Sequence, residues 1–388
     1  MKSFNTVGLL ACFLFVTNTS CQKGQDRIRS VTAGKTNDHA PVNPVRPYSL
    51  DQIVAELRLR QEPMTYKSTS DARPFEIKPS RPLAAYKLSS LIDLYQVTIR
   101  SLYGTNRPKD LIDLNPTTDR KLISLAKSVF AIFPTASVLD NNDRLNQNDL
   151  LDGTSRLLIT NYGLKYQLCS TQLFLQQPTG AKCSGVVVGS NLVLTAGHCF
   201  GSGSNALRDL RFVFGFEMLD RTNAATNILN ADIYKPIRIV KLSSDRVADW
   251  CLVEVDRLIV GRDCLPITRY DKKSPVPNLR GVTNQEAVFA LGYPCGLPIK
   301  LAANAKVYAN NQLASYFMAN LVTYGGNSGS PVFATHHGQY EIVGLLVRGL
   351  DDFDFIRTSN CNISKVYRNE EAGELCVRTT EFADLIPR

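Results

Sequence analysis

From Arg156 onward the chain alternates short apolar runs with Gly, Asn, Asp and Pro. The runs are Leu157–Thr160, Gln172–Leu175, Gly185–Val188, Leu192–Thr195, Leu210–Phe214, Ile237–Leu242, Leu252–Val255, Ala287–Leu291, Tyr316–Leu321, Pro331–Phe333 and Glu341–Val347. Many short strands with turn residues between them predict an all-β sandwich or barrel. Upstream the pattern differs. Lys121–Phe133 carries Leu122, Ile123, Leu125, Ala126, Val129 and Phe130 at helical intervals and predicts a helix. Leu50–Leu57 has similar spacing and predicts one short helix, whereas Leu91–Leu102 suits a strand or a helix. Gln22–Tyr48 is polar, holds Pro41, Pro44 and Pro47, and reads as a flexible tether. Pro63, Pro74, Pro79 and Pro82 then interrupt any regular element. No fixed-period repeat is visible.

Composition narrows the class. A hydrophobic share of 44% with 20% charged residues describes a globular chain with ample core, not a disordered one. The net charge of +9 is scattered, with no dense basic run or aromatic-interleaved basic stripe, so no nucleic-acid partner is expected. Such a surface favours acidic substrates, an anionic envelope or plain solvation. Met1-Lys2 followed by the short apolar run Val7–Val16 predicts a signal peptide over residues 1–20. Ser20 before Cys21 fits a bacterial lipoprotein signal and Asn18 does not, which leaves two routes open: lipidation of Cys21 with membrane anchoring, or simple secretion. The expected location is secreted, periplasmic or outer envelope. Ten cysteines suit an oxidising compartment. Setting aside Cys12 and Cys21, the remaining eight permit full pairing, and no CxxC pair suggests zinc.

Three segments carry chemistry: Thr195-Ala196-Gly197-His198-Cys199, Asp249-Trp250, and Gly326-Asn327-Ser328-Gly329-Ser330-Pro331. A serine hydroxyl is a poor nucleophile at neutral pH. It needs a base in hydrogen-bond reach, and the base needs a partner that holds its tautomer. The order His, Asp, Ser separates the chain from subtilisin-like and α/β-hydrolase arrangements. At these residues the sequence resembles the bacterial trypsin-like serine peptidases, and among them the glutamyl-endopeptidase-like branch, whose serine motif also reads GNSGSP. A further likeness, at Tyr103-Gly104 and the segment after it, places the start of the domain near residue 101.

The resemblance implies a double antiparallel β-barrel with a partly helical or disordered N-terminal extension. Barrel 1 would span about 155–265 and barrel 2 about 285–388, with 21–100 a tether or pro-segment. It implies His198 as general base, Asp249 as its orienting carboxylate in preference to Asp245, and Ser328 as nucleophile. The N–H groups of Gly326 and Ser328 would form the oxyanion hole. It also implies a disulfide between Cys183 and Cys199, which flank a predicted hairpin and would be worth about 3 kcal/mol by loop closure. The family more often has Ala where Gly197 stands, a change expected to be innocuous.

For the substrate pocket, the resemblance points to Val322 at the floor, Thr323 beside it, Leu346 and Arg348. Val322 stands where a trypsin would hold Asp, which argues against a basic-residue preference. Thr323 matches a glutamyl endopeptidase, but Leu346 replaces that branch's histidine. Arg348 could bind acidic groups, narrow the pocket or face solvent. The function expected is a serine endopeptidase acting on proteins or peptides without cofactor. An esterase using the same triad and a catalytically silent envelope-binding protein are the alternatives. Metal sites are not expected: Asp140–Gly153 resembles a calcium loop but has Leu145 where glycine is required, and His336-His337-Gly338 reads as a hairpin turn. Oligomeric state is not legible.

Overall fold

The computed structural model describes Gln52, Glu56 and residues 107–140, 153–201, 207–245, 247–269, 281–311, 314–365, 367 and 373–387. The signal peptide, Cys21, the tether, Leu91–Leu102, Tyr103-Gly104 and most of Asp140–Gly153 lie outside these residues. Of the helix expected over residues 50–57, Gln52 and Glu56 are described, and both are helical.

The elements that position the site run in this order: β1 (Lys109–Asp110), α1 (Arg120–Ala126), β2 (Val129–Pro134), β3 (Cys183–Val187), β4 (Leu192–Thr195), β5 (Leu210–Val213), β6 (Ile233–Tyr234), β7 (Pro236–Ser244), β8 (Asp249–Val255), β9 (Ala287–Gly292), β10 (Lys300–Ala309), β11 (Tyr316–Ala319), β12 (Pro331–His336), β13 (Gln339–Arg348) and β14 (Glu374–Arg378). They form two barrel-like antiparallel sheets. The first is a half-barrel in the order β6-β5-β2-β3-β4-β8-β7. The second closes on itself as β10-β9-β12-β13-β14-β11, through the β10–β11 pairing, and β1 adds to β10.

The helix expected over 121–133 stops at Ala126, and Val129–Pro134 is a strand at the middle of the half-barrel. The reason is burial. Val129 through Phe133 are all within 1% of fully buried, which suits a strand covered on both faces and not a one-sided helix. The half-barrel therefore starts well before residue 155. Gln172–Leu175, expected as a strand, is a turn in which Phe174 has φ +62°. The Gly189–Asn191 turn and the His337-Gly338 turn both form, the latter with φ +51° and +76°, values that match a tight two-residue hairpin.

Tyr293 joins the barrels. It is fully buried, stacks on Phe216, and donates its hydroxyl to Val129 O at 3.2 Å. The upstream segment is fixed by a buried polar knot. Lys300 Nζ pairs with Asp110 and donates to Gln177 Oε1 at 2.7 Å, while Gln177 Nε2 donates to Asp110 Oδ2 at 2.8 Å. Each of these groups is satisfied by the others, so the buried charges are tolerated. Two disulfides form, Cys183–Cys199 and Cys169–Cys361, and Cys251, Cys264, Cys295 and Cys376 stay as thiols.

Candidate active site

His198 lies on a single 3-10 turn, Gly197–Phe200, that ends the β3–β4 hairpin. Asp249 opens β8, the neighbour of β4, with Cys251 opposite Thr195. That register carries the carboxylate past the strand end to the histidine turn. Asp249 is 2% exposed. Its Oδ1 accepts the backbone N–H of His198 at 2.9 Å, and its Oδ2 meets Nδ1 of the ring at 2.6 Å. Two contacts from one carboxylate fix both the turn and the ring, leaving Nε2 as the ring's free edge. Burial alone would raise the Asp249 carboxyl, but the hydrogen bonds and charge of His198, with help from Arg348, hold it below the ordinary value. Asp245 instead caps Val247 N at 3.1 Å in an exposed turn.

Gly197 has a specific reason to lack a side chain. A Cβ there would sit 2.6 Å from Asp249 Oδ1 and 2.6 Å from Ser243 O. The residue is thus not interchangeable with Ala in this chain, because β7 crosses directly over it. We expect Gly197→Ala to destabilise the protein by roughly 1–3 kcal/mol, as overpacking does, and to lower kcat by displacing the carboxylate from Nδ1. Thermal melts and steady-state kinetics check this; an unchanged Tm with unchanged kcat would show that β7 yields freely.

Ser328 sits in a loop welded to β3. Its carbonyl accepts Ser184 N–H at 2.8 Å and lies 3.7 Å from Cys199 Sγ. Ser184 Oγ donates to Gly326 O at 2.9 Å and accepts Tyr293 N–H at 3.0 Å. The serine loop and the histidine turn are therefore held on either side of the Cys183–Cys199 disulfide. Gly326 (φ +91°) and Gly329 (φ +87°) adopt backbone that only glycine takes easily. A Cβ on Gly326 would meet Tyr293 O at 2.6 Å, and one on Gly329 would meet Ser184 O at 2.2 Å.

The amides of this loop divide into two sets. Gly325 N–H donates to Asp352 Oδ2 at 2.9 Å, Asn327 to Tyr324 O at 3.1 Å, Gly329 to Leu346 O at 2.7 Å and Ser330 to Asn327 O at 2.8 Å. Those of Gly326 and Ser328 have no acceptor among the described residues. Two unpaired donors, one on each side of Asn327, are a ready site for a developing negative oxygen. Beside His198 the surface opens into a cavity of about 550 Å³ lined by Lys182, Phe200, Asp209 and the disulfide.

The expected pocket residues part company. Leu346 is 2% exposed and packs in the closed barrel's core with Leu321, Val343 and Cys376. Val322 and Thr323 are partly buried on the segment leading to Ser328, and Thr323 Oγ1 is buried without a well-formed hydrogen bond. Arg348 leans back toward the histidine side, its guanidinium 3.8 Å from Asp249 Oδ2. Sequence reasoning missed Ser184, the polar link between the two loops, and Glu374, a buried carboxyl behind Thr323. Glu374 carried a signal, as an acidic residue heading the apolar run Leu375-Cys376-Val377. Ser184 carried none. Cys183, His198 and Cys199 cluster closely enough to suggest a metal, but both sulfurs are in the disulfide and cannot act as thiolate ligands.

Residues 183–345 match a family model described as a trypsin-like peptidase domain. No curated protein matches the chain. The matched segment holds His198, Asp249 and Ser328 and runs through both sheets, so the chain carries a trypsin-like peptidase domain built on two barrel-like sheets.

Proposed function

We propose that this domain is a serine endopeptidase that cleaves protein or peptide substrates through an acyl-enzyme. The observation that carries the reading is the pairing of a histidine clamped twice by a buried carboxylate with two unpaired amides around Ser328. Ser328 Oγ attacks the scissile carbonyl carbon and gives its proton to His198 Nε2. The carbonyl oxygen, now negative, rests on the N–H groups of Gly326 and Ser328. Collapse of this intermediate breaks the C–N bond, and His198 returns the proton to the leaving amine. A water then repeats the sequence on the ester: His198 takes its proton, the new C–O bond forms, and Ser328 leaves with the proton restored. Asp249 holds Nδ1–H throughout and stabilises the imidazolium. No step calls for a cofactor.

The substrate reaches this centre outside the reducing cytosol, a reading supported by the two disulfides. Fractionation of producing cells would contradict it by finding the chain in the cytosol. Cleavage of a peptide library by the disulfide-bonded protein tests the activity. The expected result is cleavage at defined sites that disappears in Ser328→Ala. Cleavage that persists in that variant would remove Ser328 from the reaction, and none from the oxidised wild type would favour the silent binding protein.

A further inference from the structure

The peptide between Gly325 and Gly326 carries the N–H that the catalytic reading assigns to the oxyanion, and it lies between two glycines. A glycine on either side leaves such a peptide free to turn over. Its plane sets the carbonyl and the N–H on opposite sides, so whatever holds the carbonyl also aims the N–H. The carbonyl of Gly325 accepts the N–H of Cys295, on the turn between β9 and β10. Cys295 reaches it from left-handed backbone, with φ +50°. Its own carbonyl accepts the hydroxyls of Thr179 and, at 3.3 Å, Tyr166, which fixes the turn.

The other side of Gly325 is held by a side chain. Its N–H donates to Asp352 Oδ2 at 2.9 Å. A Cβ on Gly325 would sit 3.0 Å from the same oxygen, and Cys295 Sγ lies 4.0 Å from it. Asp352 therefore touches both segments that meet at this peptide. Its own place is fixed as well. The carbonyl of Asp352 accepts Lys365 N–H at 2.8 Å, at the foot of a hairpin formed by Phe353–Ile356 and Cys361–Ser364. The Cys169–Cys361 disulfide ties that hairpin to the segment after Tyr166, where Cys169 N–H donates to Asn362 O at 2.9 Å. Phe353, the next residue after Asp352, packs on Tyr166 and on Tyr324, with ring centroids 5.4 and 6.1 Å away. Tyr324 directly precedes Gly325. A cross-linked hairpin that belongs to neither barrel sheet thus presents the carboxylate to Gly325.

Building on the reading of Ser328 as nucleophile, we propose that Asp352 is a positioning residue for the oxyanion hole. It pins Gly325 by its N–H while Cys295 pins the same residue by its carbonyl. Together they keep the Gly326 N–H turned toward the reacting carbonyl. Without Asp352 the 324–325 peptide is released and the glycine pair can rotate, so the donor remains but is no longer aimed. The cost falls on the transition state, where the negative oxygen draws on the donor, and not on substrate binding.

Release of p-nitrophenol from p-nitrophenyl acetate by the disulfide-bonded protein tests this, with Ser328→Ala as the blank for other nucleophiles. Asp352→Ala is expected to lower the acylation rate constant by about 30-fold or more, with the apparent binding constant of the ester within about threefold of wild type. Asp352→Asn, whose side-chain carbonyl still accepts an N–H, is expected to recover at least about tenfold of that loss. A folded Asp352→Ala variant with an acylation constant within about threefold of wild type would overturn the proposal. So would a loss confined to ester binding, or an Asp352→Asn variant as slow as Asp352→Ala. If the alanine variant does not fold, hydrogen exchange at the isotope-labelled glycine amides of the wild type takes its place. Gly325 is then expected to exchange at least about tenfold more slowly than Gly326, and equal rates would overturn the proposal. A fluorophosphonate separates the two failures. Wild type labelled on Ser328, with Asp352→Ala labelled equally fast, loses only the role of Asp352. Wild type that is neither labelled nor acylated at Ser328 loses the catalytic reading, and this proposal with it.

Discussion

His198→Ala will lower kcat for peptide hydrolysis by roughly 10⁵–10⁶-fold, with little change in KM, and Asp249→Asn will lower it by about 10⁴-fold. The first variant removes the group proposed to take the Ser328 proton. The second keeps the carboxylate's shape but presents one acceptor where two are used, at the His198 amide and at Nδ1. Because the residues act as a unit, the double variant His198→Ala/Ser328→Ala should be no slower than either single one. Steady-state and single-turnover kinetics on folded, disulfide-bonded protein decide it. A His198→Ala variant within about tenfold of wild type would remove the histidine from the mechanism, since general acid–base catalysis alone is worth more than that.

Gly326→Ala should cost two to three orders of magnitude in kcat, about the loss seen when one oxyanion donor is removed. Its φ of +91° disfavours any L side chain, and the new Cβ would press on Tyr293 O at 2.6 Å. The expected relief of that contact turns the Gly326 amide away from its present direction. KM should hardly move, because the carbonyl oxygen draws fully on these donors only in the transition state. Near-UV spectra and Tm report whether the variant keeps its packing. A folded variant with kcat close to wild type would show that the Gly326 amide does not face the reacting carbonyl.

How legible the molecule was in its sequence varied with the range of the determining contacts. The β3–β4 hairpin, the histidine turn and the glycine-bracketed serine were readable because each is set within a dozen residues by turn chemistry. β10 was missed. Its sequence, Lys-Leu-Ala-Ala-Asn-Ala-Lys-Val-Tyr-Ala, is poor in strand-forming side chains, and pairing with β9 on one side and β11 on the other makes it a strand. β2 was read with the wrong period because its apolar residues run on from those of α1 without a turn signal. Of the fifteen pairings open to the six other cysteines, Cys169–Cys361 spans 192 residues. Backbone bonds between the two segments, such as Cys169 N to Asn362 O at 2.9 Å, bring them together. The need for glycine at residue 197 follows from Ser243, and the setting of Glu374 from Gly349 and Thr323, all distant in sequence. Arg348, placed in the substrate pocket by the resemblance, instead brings its guanidinium within 3.8 Å of Asp249 Oδ2.

Reaction with a fluorophosphonate, followed by peptide mapping of the adduct, tests most directly whether Ser328 is an activated nucleophile. The account expects a single stoichiometric adduct on Ser328 in the oxidised wild type, and none in His198→Ala over the same time. A folded, oxidised protein that stays unmodified, or an adduct that forms equally fast without the imidazole, would contradict it.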